Sequence, residues 1–287
     1  MTVKNLSLAI STASILAVVG FFSPAYSAGK NLTVVLSEEP DIVDPCEATR
    51  SNVGRIVKQN VSETLVEIDP KDGSIKARLA TGWKQTDNLT WHFDIRKGVK
   101  FHDGEDLNAK SVVKSIKRAL NPKYDCEIRT KFFGNMSVSA SAIGSHTVAI
   151  KTKKPQPIMP ALMGTMTIVS PNTQEAKGVR NPQGTGPYVF GTWTPGQSVS
   201  LKRFSGYWGD KPVVENVKYV FRKESAVRAA MVKTGEADIA PNIAVQDATD
   251  SKMDFSYFNS ETARLRIDMS RKPLDDIRVR KAMNLAV

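Results

Sequence analysis

Seven residues constrain this chain more than any other stretch. From Thr90 to Arg96, Trp91, Phe93 and Ile95 alternate with His92, Asp94 and Arg96. A period of two marks a half-buried strand, because successive side chains of a strand point to opposite faces. Lys97-Gly98 supplies a turn, and Val99 to Phe101 starts a short return strand. Asp103-Gly104 is a second turn, since glycine tolerates the positive φ such turns need. Asn108 then stands at an N-cap position. Val112, Val113, Ile116 and Leu120 follow at helical spacing, with Lys110, Lys114, Lys117 and Arg118 mostly on the other side. Asn121-Pro122 stops the helix. By itself this is a hairpin feeding an amphipathic helix.

The N-terminus reads as an export signal. Lys4 gives a positive start, Leu6 to Phe22 an apolar run, and Ala25 and Ser27 the small residues before a cleavage after Ser27. A transmembrane anchor is the rival reading, but serines and a threonine interrupt the run and a small-residue site ends it. Residues 1–27 are therefore expected to be a signal peptide. No Cys follows the run, so no lipid anchor is expected and the mature chain belongs in the periplasm. Cys46 and Cys126 are the 2 cysteines of the chain. An even count in an exported chain suggests a disulfide, with two separate thiols as the alternative. The bond would close a loop of roughly 80 residues, which the chain-entropy model values at about 4.5 kcal/mol as an upper figure.

The net charge of +11 raises the question of an acidic partner, but the 40 basic residues are interleaved with 29 acids. No aromatics are spaced along a basic groove, so nucleic acid is not expected as a partner. His92, His102 and His146 are the 3 histidines. His102-Asp103 imitates a metal pair, but no further ligands arrive at useful spacing. There is no nucleophile elbow, no Walker pattern and no pair of catalytic carboxylates singled out by spacing. Gly184-Thr185-Gly186 lacks the third glycine and the flanking elements of a phosphate loop. No catalytic residue, metal ligand or cofactor is expected, and the chain reads as a binder and not an enzyme.

Other elements follow the same logic. Asn31 to Leu36 is an apolar strand. Val53, Ile56, Val57, Val61 and Leu65 carry a helix-like pattern over residues 53–67, and Asp72-Gly73 signals a hairpin. Residues 137–150 read as strands, as do 188–190, 199–203, 207–209, 217–221 and 262–269. Ser225 is expected to cap a helix with Val227, Ala230 and Met231 on one face and Gly235 at its end. Asp275 or Asp276 caps a last helix carrying Val279, Ala282, Met283 and Ala286. Trp193, Tyr207 and Trp208 are read as structural in preference to ligand-stacking.

The wording goes further than the periodicity. "TGW", "WHFDIRKGVKFHDG" and a helix running to "RAL-NP" are joined by "GTGPY" at 184–188, "YWGDKP" at 207–212, "GEADI" at 235–239 and "KPLDDIRVR" at 272–280. Together they resemble the bacterial extracellular solute-binding proteins of family 5, which deliver peptides, and in some members nickel complexes or sugars, to ABC importers. Ser111 departs from the family, which more often has an acidic residue there; a helix dipole interaction weaker by about a few tenths of a kcal/mol is expected. The resemblance implies an α/β, periplasmic-binding-protein-like clamshell. Residues 28–45 and 171–259 would form a discontinuous first lobe, 46–170 its inserted subdomain, and 260–287 the start of a second lobe that is mostly absent. The glycines of "GTGPY" would let the backbone pass tightly between lobes. Pro40 to Pro45 matches the family's corner at the mouth of the cleft, and Thr49, Arg50 and Ser51 match the loop that touches the ligand backbone. A plain surface loop is the alternative for these residues. Cys46 and Cys126 would both lie on the ligand side of the inserted subdomain. The implied partners are a short peptide or similar small solute and an inner-membrane ABC permease, with the chain a monomer. A nickel chelate, an oligosaccharide, or a non-transporting exported protein are the other readings. With most of one lobe missing, very weak peptide binding or none is expected.

Overall fold

The computed structural model describes residues 31–175, 178–256 and 266–286. The expected signal peptide and its cleavage site lie outside them. So does the first part of the expected strand 262–269, whose described remainder, 266–269, is not a strand.

In chain order the elements are β1 (Asn31–Leu36), α1 (Ser51–Val57), β2 (Val66–Ile68), β3 (Ile75–Ala77), β4 (Ala80–Asp87), β5 (Thr90–Ile95) and α2 (Ala109–Leu120). Then come β6 (Val138–Ile143), β7 (Thr147–Thr152), α3 (Met159–Met163), β8 (Tyr188–Thr194), β9 (Ser198–Arg203), β10 (Asn216–Phe221), α4 (Ser225–Thr234) and α5 (Ile277–Leu285). Two 4-stranded sheets result, ordered β1-β10-β9-β8 and β4-β5-β7-β6. β1 pairs with β10 in parallel. Parallel neighbours need a long crossover, and here the crossover holds the whole second sheet.

Each sheet is half buried, as its sequence demands. Phe93, Val148 and Ile150 face Val112 and Ile116 of α2 in one core. Val34, Leu36, Val199, Leu201 and Val217 face Val53, Ile56 and Val57 of α1 in the other. α2 starts where expected, and Ser111 does more than the resemblance implied. Its Oγ accepts from the Asn108 backbone N–H at 2.9 Å, while the Asn108 side chain accepts from the Lys110 and Ser111 N–H groups. This reciprocal capping box satisfies donors that an acidic residue would otherwise serve.

Several expectations are corrected. α1 stops at Val57 because Gln59 takes a φ of 64°. Residues 59–61 form a turn in which the Val61 N–H donates back to the Val57 carbonyl; Val61 and Leu65 are buried, and Asn60 and Val61 accept from the Tyr188 and Gly186 N–H groups. Residues 99–101 make only an isolated bridge, between Lys100 and Asp106. Ser225 is the first helical residue and not the cap; its Oγ accepts from Ala244 N–H at 2.8 Å. Val227 is exposed, and α4 instead buries Met231 and Arg228, whose guanidinium donates to the carbonyls of Arg222, Lys223 and Asn242. Gly235 ends that helix at φ 78°, and Asp276 caps α5. Tyr207 to Gly209 form a turn.

That turn is what ties the sheets together. Glu63 is fully buried. Its Oε1 accepts from Arg78 Nε at 2.8 Å and the Tyr207 hydroxyl at 3.0 Å. Its Oε2 accepts from Thr185 Oγ1 and Trp208 Nε1, both at 2.8 Å. Arg96 lies 4.3 Å over the Trp208 ring, a cation–π contact that helps to seat the indole. Burial and the Glu63 charge hold the Tyr207 hydroxyl above the usual phenol range. Four donors on one carboxylate meet the requirement that a buried charge be paired and hydrogen-bonded.

Candidate functional site

The site is built on the segment that leaves β1. Asp44 opens a short turn at Pro45–Glu47 and accepts from the Cys46 N–H at 2.9 Å. The same carboxylate takes a two-pronged grip from Arg118 of α2, at 3.2 and 2.8 Å, and accepts from the Val179 N–H at 3.1 Å. Arg118 Nε donates to the Gln174 carbonyl. Both partners of the ion pair are buried, so each lone pair and proton needs this geometry. Cys46 and Cys126 are bonded, with their Cα atoms 4.8 Å apart. Ion pair and disulfide thus pin the loop after β1 to α2 and to the residues that follow it.

Thr49, Arg50 and Ser51 stand next on this pinned loop, at the start of α1. Thr49 Oγ1 donates to Glu127 Oε2 at 2.7 Å and accepts from Lys131 Nζ at 3.3 Å. Arg50 spans three carboxylates: Asp41 through NH1 at 2.9 and 3.1 Å, Glu127 through Nε at 3.2 Å, and Glu47 at 2.9 Å. Ser51 Oγ accepts from Arg55 at 2.6 Å. The three residues are brought together, and each already has an internal partner. Beside them lies a recess of about 320 Å³, lined among others by Asp41, Glu47, Arg50, Arg118 and Tyr124.

Three carboxylates therefore surround Arg50, and one of them, Glu127, also pairs with Lys131 at 2.7 Å. Burial pushes the Glu47 carboxyl up; Arg50 opposes this, while Glu127, Asp44 and Asp41 add to it. Burial works on Glu127 in the same direction, but hydrogen bonds from Lys131, Thr49 and Arg50 outweigh it and hold that carboxyl below its usual range. The half-exposed guanidinium offers donors to carbonyl or carboxylate groups, and the carboxylates offer acceptors to an ammonium. Among the described residues, no three of His, Cys, Asp and Glu are grouped to hold a metal ion.

Glu127 and Lys131 escaped sequence reading. The available signal was that Glu127 follows Cys126, so any bond from Cys126 to Cys46 brings it beside Thr49. Asp44–Arg118 had no signal, since 74 residues separate the partners. His102 stands in a turn and is half-buried. Its Nε2 lies 2.9 Å from the Gly186 carbonyl, its Nδ1 accepts from the Gly184 N–H at 3.4 Å, and burial lowers its pKa. It clasps the "GTGPY" segment, whose glycines pass tightly against residues 60–62: a Cβ on Gly184 would lie 2.0 Å from the Val61 oxygen, and one on Gly186 2.3 Å from that of Asn60. Trp193, Tyr207 and Trp208 are structural; Trp193 Nε1 donates to Glu39 at 2.5 Å.

Comparison with known proteins agrees with this architecture. The glutathione-binding protein GsiB of Salmonella choleraesuis is 30% identical over 272 residues, covering 91% of this chain and 52% of the relative. The chain thus spans about half the length of the curated relatives it matches. Two solved structures share the fold. A dipeptide-binding protein from Pseudoalteromonas sp. SM9913 in complex with Met-Leu has a TM-score of 0.75 at 22% identity, covering 88% of this chain and 56% of that one. NikZ from Campylobacter jejuni, in complex with a nickel–histidine species, has a TM-score of 0.74 at 24% identity, covering 90% and 53%. The family model for the middle region of these proteins matches residues 74–287. This chain belongs to the bacterial extracellular solute-binding proteins, family 5.

Proposed function

We propose that this chain provides solute-binding residues for an ABC importer, that the solute is a short peptide, and that Thr49, Arg50 and Ser51 contact it. The observation that carries this reading is the pinned loop after β1. It presents a half-exposed guanidinium among three carboxylates on a wall pinned by an ion pair and a disulfide, which suits the mixed amide, carboxylate and ammonium chemistry of a peptide. GsiB is by its name a glutathione-binding protein, and the Pseudoalteromonas neighbour a dipeptide-binding protein in complex with Met-Leu. The nickel–histidine complex of NikZ favours a second reading, an amino-acid chelate of nickel. In the proposed organisation, 28–45 and 171–259 form one lobe, 46–170 its inserted subdomain, and 260–287 the start of another. The parallel β1–β10 pair with the second sheet between its strands supports that division. The chain acts as a monomer, without catalysis, after export to the periplasm behind a signal peptide at 1–27, and hands its solute to a membrane permease.

The test is an amide NMR titration of the 28–287 chain with Met-Leu, glutathione and the nickel–histidine complex at millimolar concentration. Peptides should shift the Thr49, Arg50 and Ser51 amides, and Arg50→Ala should weaken binding about tenfold. Shifts with the nickel complex alone would establish the second reading. No shift at this loop with any solute would refute the site.

A further inference from the structure

The two 4-stranded sheets have edges at β1, β8, β4 and β6, and three of these are blunted. β4 is bulged between Ala80 and Gly82 and again between Gln85 and Asp87. β8 is bulged between Phe190 and Trp193. β1 is covered, since the Val35 N–H donates to the Ile239 carbonyl at 2.9 Å and the Asp238 N–H to that of Thr33 at 2.8 Å. Bulges and covers are the usual protection against unwanted strand pairing. β6 has neither. Its residues, Val-Ser-Ala-Ser-Ala-Ile, pair with β7 throughout without a register shift and include no charge, Pro or Gly.

The ladder fixes which groups of β6 face outward. The Thr152 N–H donates to the Leu89 carbonyl and the Ile95 N–H to that of His146. Even-numbered residues of β7 therefore bond toward β5, and its odd-numbered residues bond toward β6. The hydrogen-bonded pairs across β6 and β7 are Ser139–Lys151, Ser141–Ala149 and Ile143–Thr147. Val138, Ala140 and Ala142 consequently direct their N–H and C=O groups away from the sheet. Among the described residues none of these groups finds a partner outside it.

Charge selects what can dock there. α2 lies beneath β6, with Lys110, Lys114 and Lys117 exposed and Val113 and Leu120 half-buried. Lys151 stands opposite Ser139 on the sheet's open face. α2 contains no Asp or Glu, and neither does any position from 128 to 174. The free edge is thus flanked on the α2 side by three exposed lysines on a helix with no carboxylate of its own, while on the open face Lys151 is opposed by Asp87 of β4. We propose that β6 is a docking strand for an extended acidic segment of a partner protein, which adds to the sheet as a further strand. Main-chain bonds to residues 138, 140 and 142 give affinity, and the lysines give register and preference for carboxylates. A second copy of this chain is a poorer occupant, because two-fold pairing through β6 would bring the α2 lysines of both copies together.

The experiment is fluorescence anisotropy on the 28–287 chain with a labelled Glu-Val-Thr-Val-Thr-Val-Glu peptide, with hydrogen exchange on the complex. Saturable binding is expected, with slowed exchange at the Ala140 and Ala142 amides. Replacing the terminal glutamates by lysines should weaken binding about tenfold. Ala142→Pro deletes an outward N–H that the internal ladder does not use, a position where strands tolerate proline, and should also weaken binding about tenfold. If circular dichroism shows Ala142→Pro misfolded, the double variant Lys110→Glu, Lys117→Glu leaves the strand intact and should turn the preference toward the lysine-ended peptide. The proposal is overturned by absence of peptide binding, by affinity indifferent to peptide charge, or by protection elsewhere than β6. Self-association through this edge, or capture by phosphatidylglycerol vesicles without capture of the peptide, overturns it equally.

Discussion

Replacing Glu63 by Gln keeps the shape of the junction between the sheets and removes its charge. The carboxylate is fully buried and serves four donors. A glutamine offers one acceptor oxygen and one amino group. Turned toward Arg78, the amino group would meet a cation, so the amide oxygen must stay with Arg78 and Tyr207. The amino group then faces Thr185 and Trp208. The Thr185 hydroxyl can rotate and accept, but the indole N–H of Trp208 is only a donor and loses its partner. One unsatisfied buried donor costs about 1–3 kcal/mol. Removing one member of a fully buried ion pair costs about 3–5 kcal/mol. The Arg78 side chain, however, is 25% exposed and keeps Glu67 at 3.6 Å, so water and that neighbour recover part of the loss. A destabilisation of about 3 kcal/mol is expected, which for a chain of this size lowers Tm by roughly 6–12 °C. Thermal unfolding followed by circular dichroism measures it, and the Trp208 indole proton resonance reports the local cause. A change below about 1 kcal/mol, or an unmoved indole resonance, would refute the reasoning.

Two further outcomes follow from the same geometry. The double variant Cys46→Ala, Cys126→Ala opens a loop with a sequence separation of 80. It should lose about 2–4 kcal/mol in guanidinium unfolding, below the 4.5 kcal/mol chain-entropy figure; no loss relative to the oxidised parent would show that the ion pair and packing alone hold the loop. His102 is held neutral between two backbone groups, with burial as the first cause of its lowered pKa. The unfolded chain therefore takes up this proton first as pH falls. Stability should be complete above the unfolded imidazole value of about 6.5 and decline below it, by up to about 1.4 kcal/mol per pH unit. His102→Gln should flatten that part of the pH profile.

What could be read from the chain was whatever is repeated locally. The alternation at Thr90–Ile95 and the 3.6-residue spacing from Ala109 to Leu120 gave a strand and a capped helix because burial acts on each side chain in turn. The same method failed at residues 58–65. Val61 and Leu65 fit the spacing set by Val57 and are buried, but a turn at 59–61 ends the helix and brings the chain against Gly184 and Gly186, and no periodicity carries that long-range demand. Val227 failed for the complementary reason: the spacing was helical, but the buried side of α4 was settled by Arg228 reaching three carbonyls. Thr49, Arg50 and Ser51 were singled out only through wording shared with relatives, and their role as ligand contacts is a proposal. Their partners Glu127 and Lys131, contributed from 77 or more positions away, were not legible at all.

The illegible contacts share one physical character. Asp44–Arg118 and Glu63–Arg78 are both carboxylate–guanidinium pairs with a fully or nearly buried acid, and Glu63 joins segments on opposite sides of the sheet-to-sheet junction. Apolar packing between the sheets could slide, since dispersion contacts are non-directional. A buried carboxylate with every lone pair committed cannot, because any shift strands a charge or a donor. The two pairs therefore fix the orientation of one sheet on the other, and with it the direction in which the loop after β1 faces. On the proposed function such rigidity has a use, since ordering on binding then falls on the solute alone. The cost is that either pair, once broken, should loosen the loop as well as the fold. In Glu63→Gln this predicts faster amide exchange at Thr49 and Arg50 even though neither residue touches Glu63. Unchanged exchange there would mean that the Asp44–Arg118 pair and the disulfide hold the site on their own.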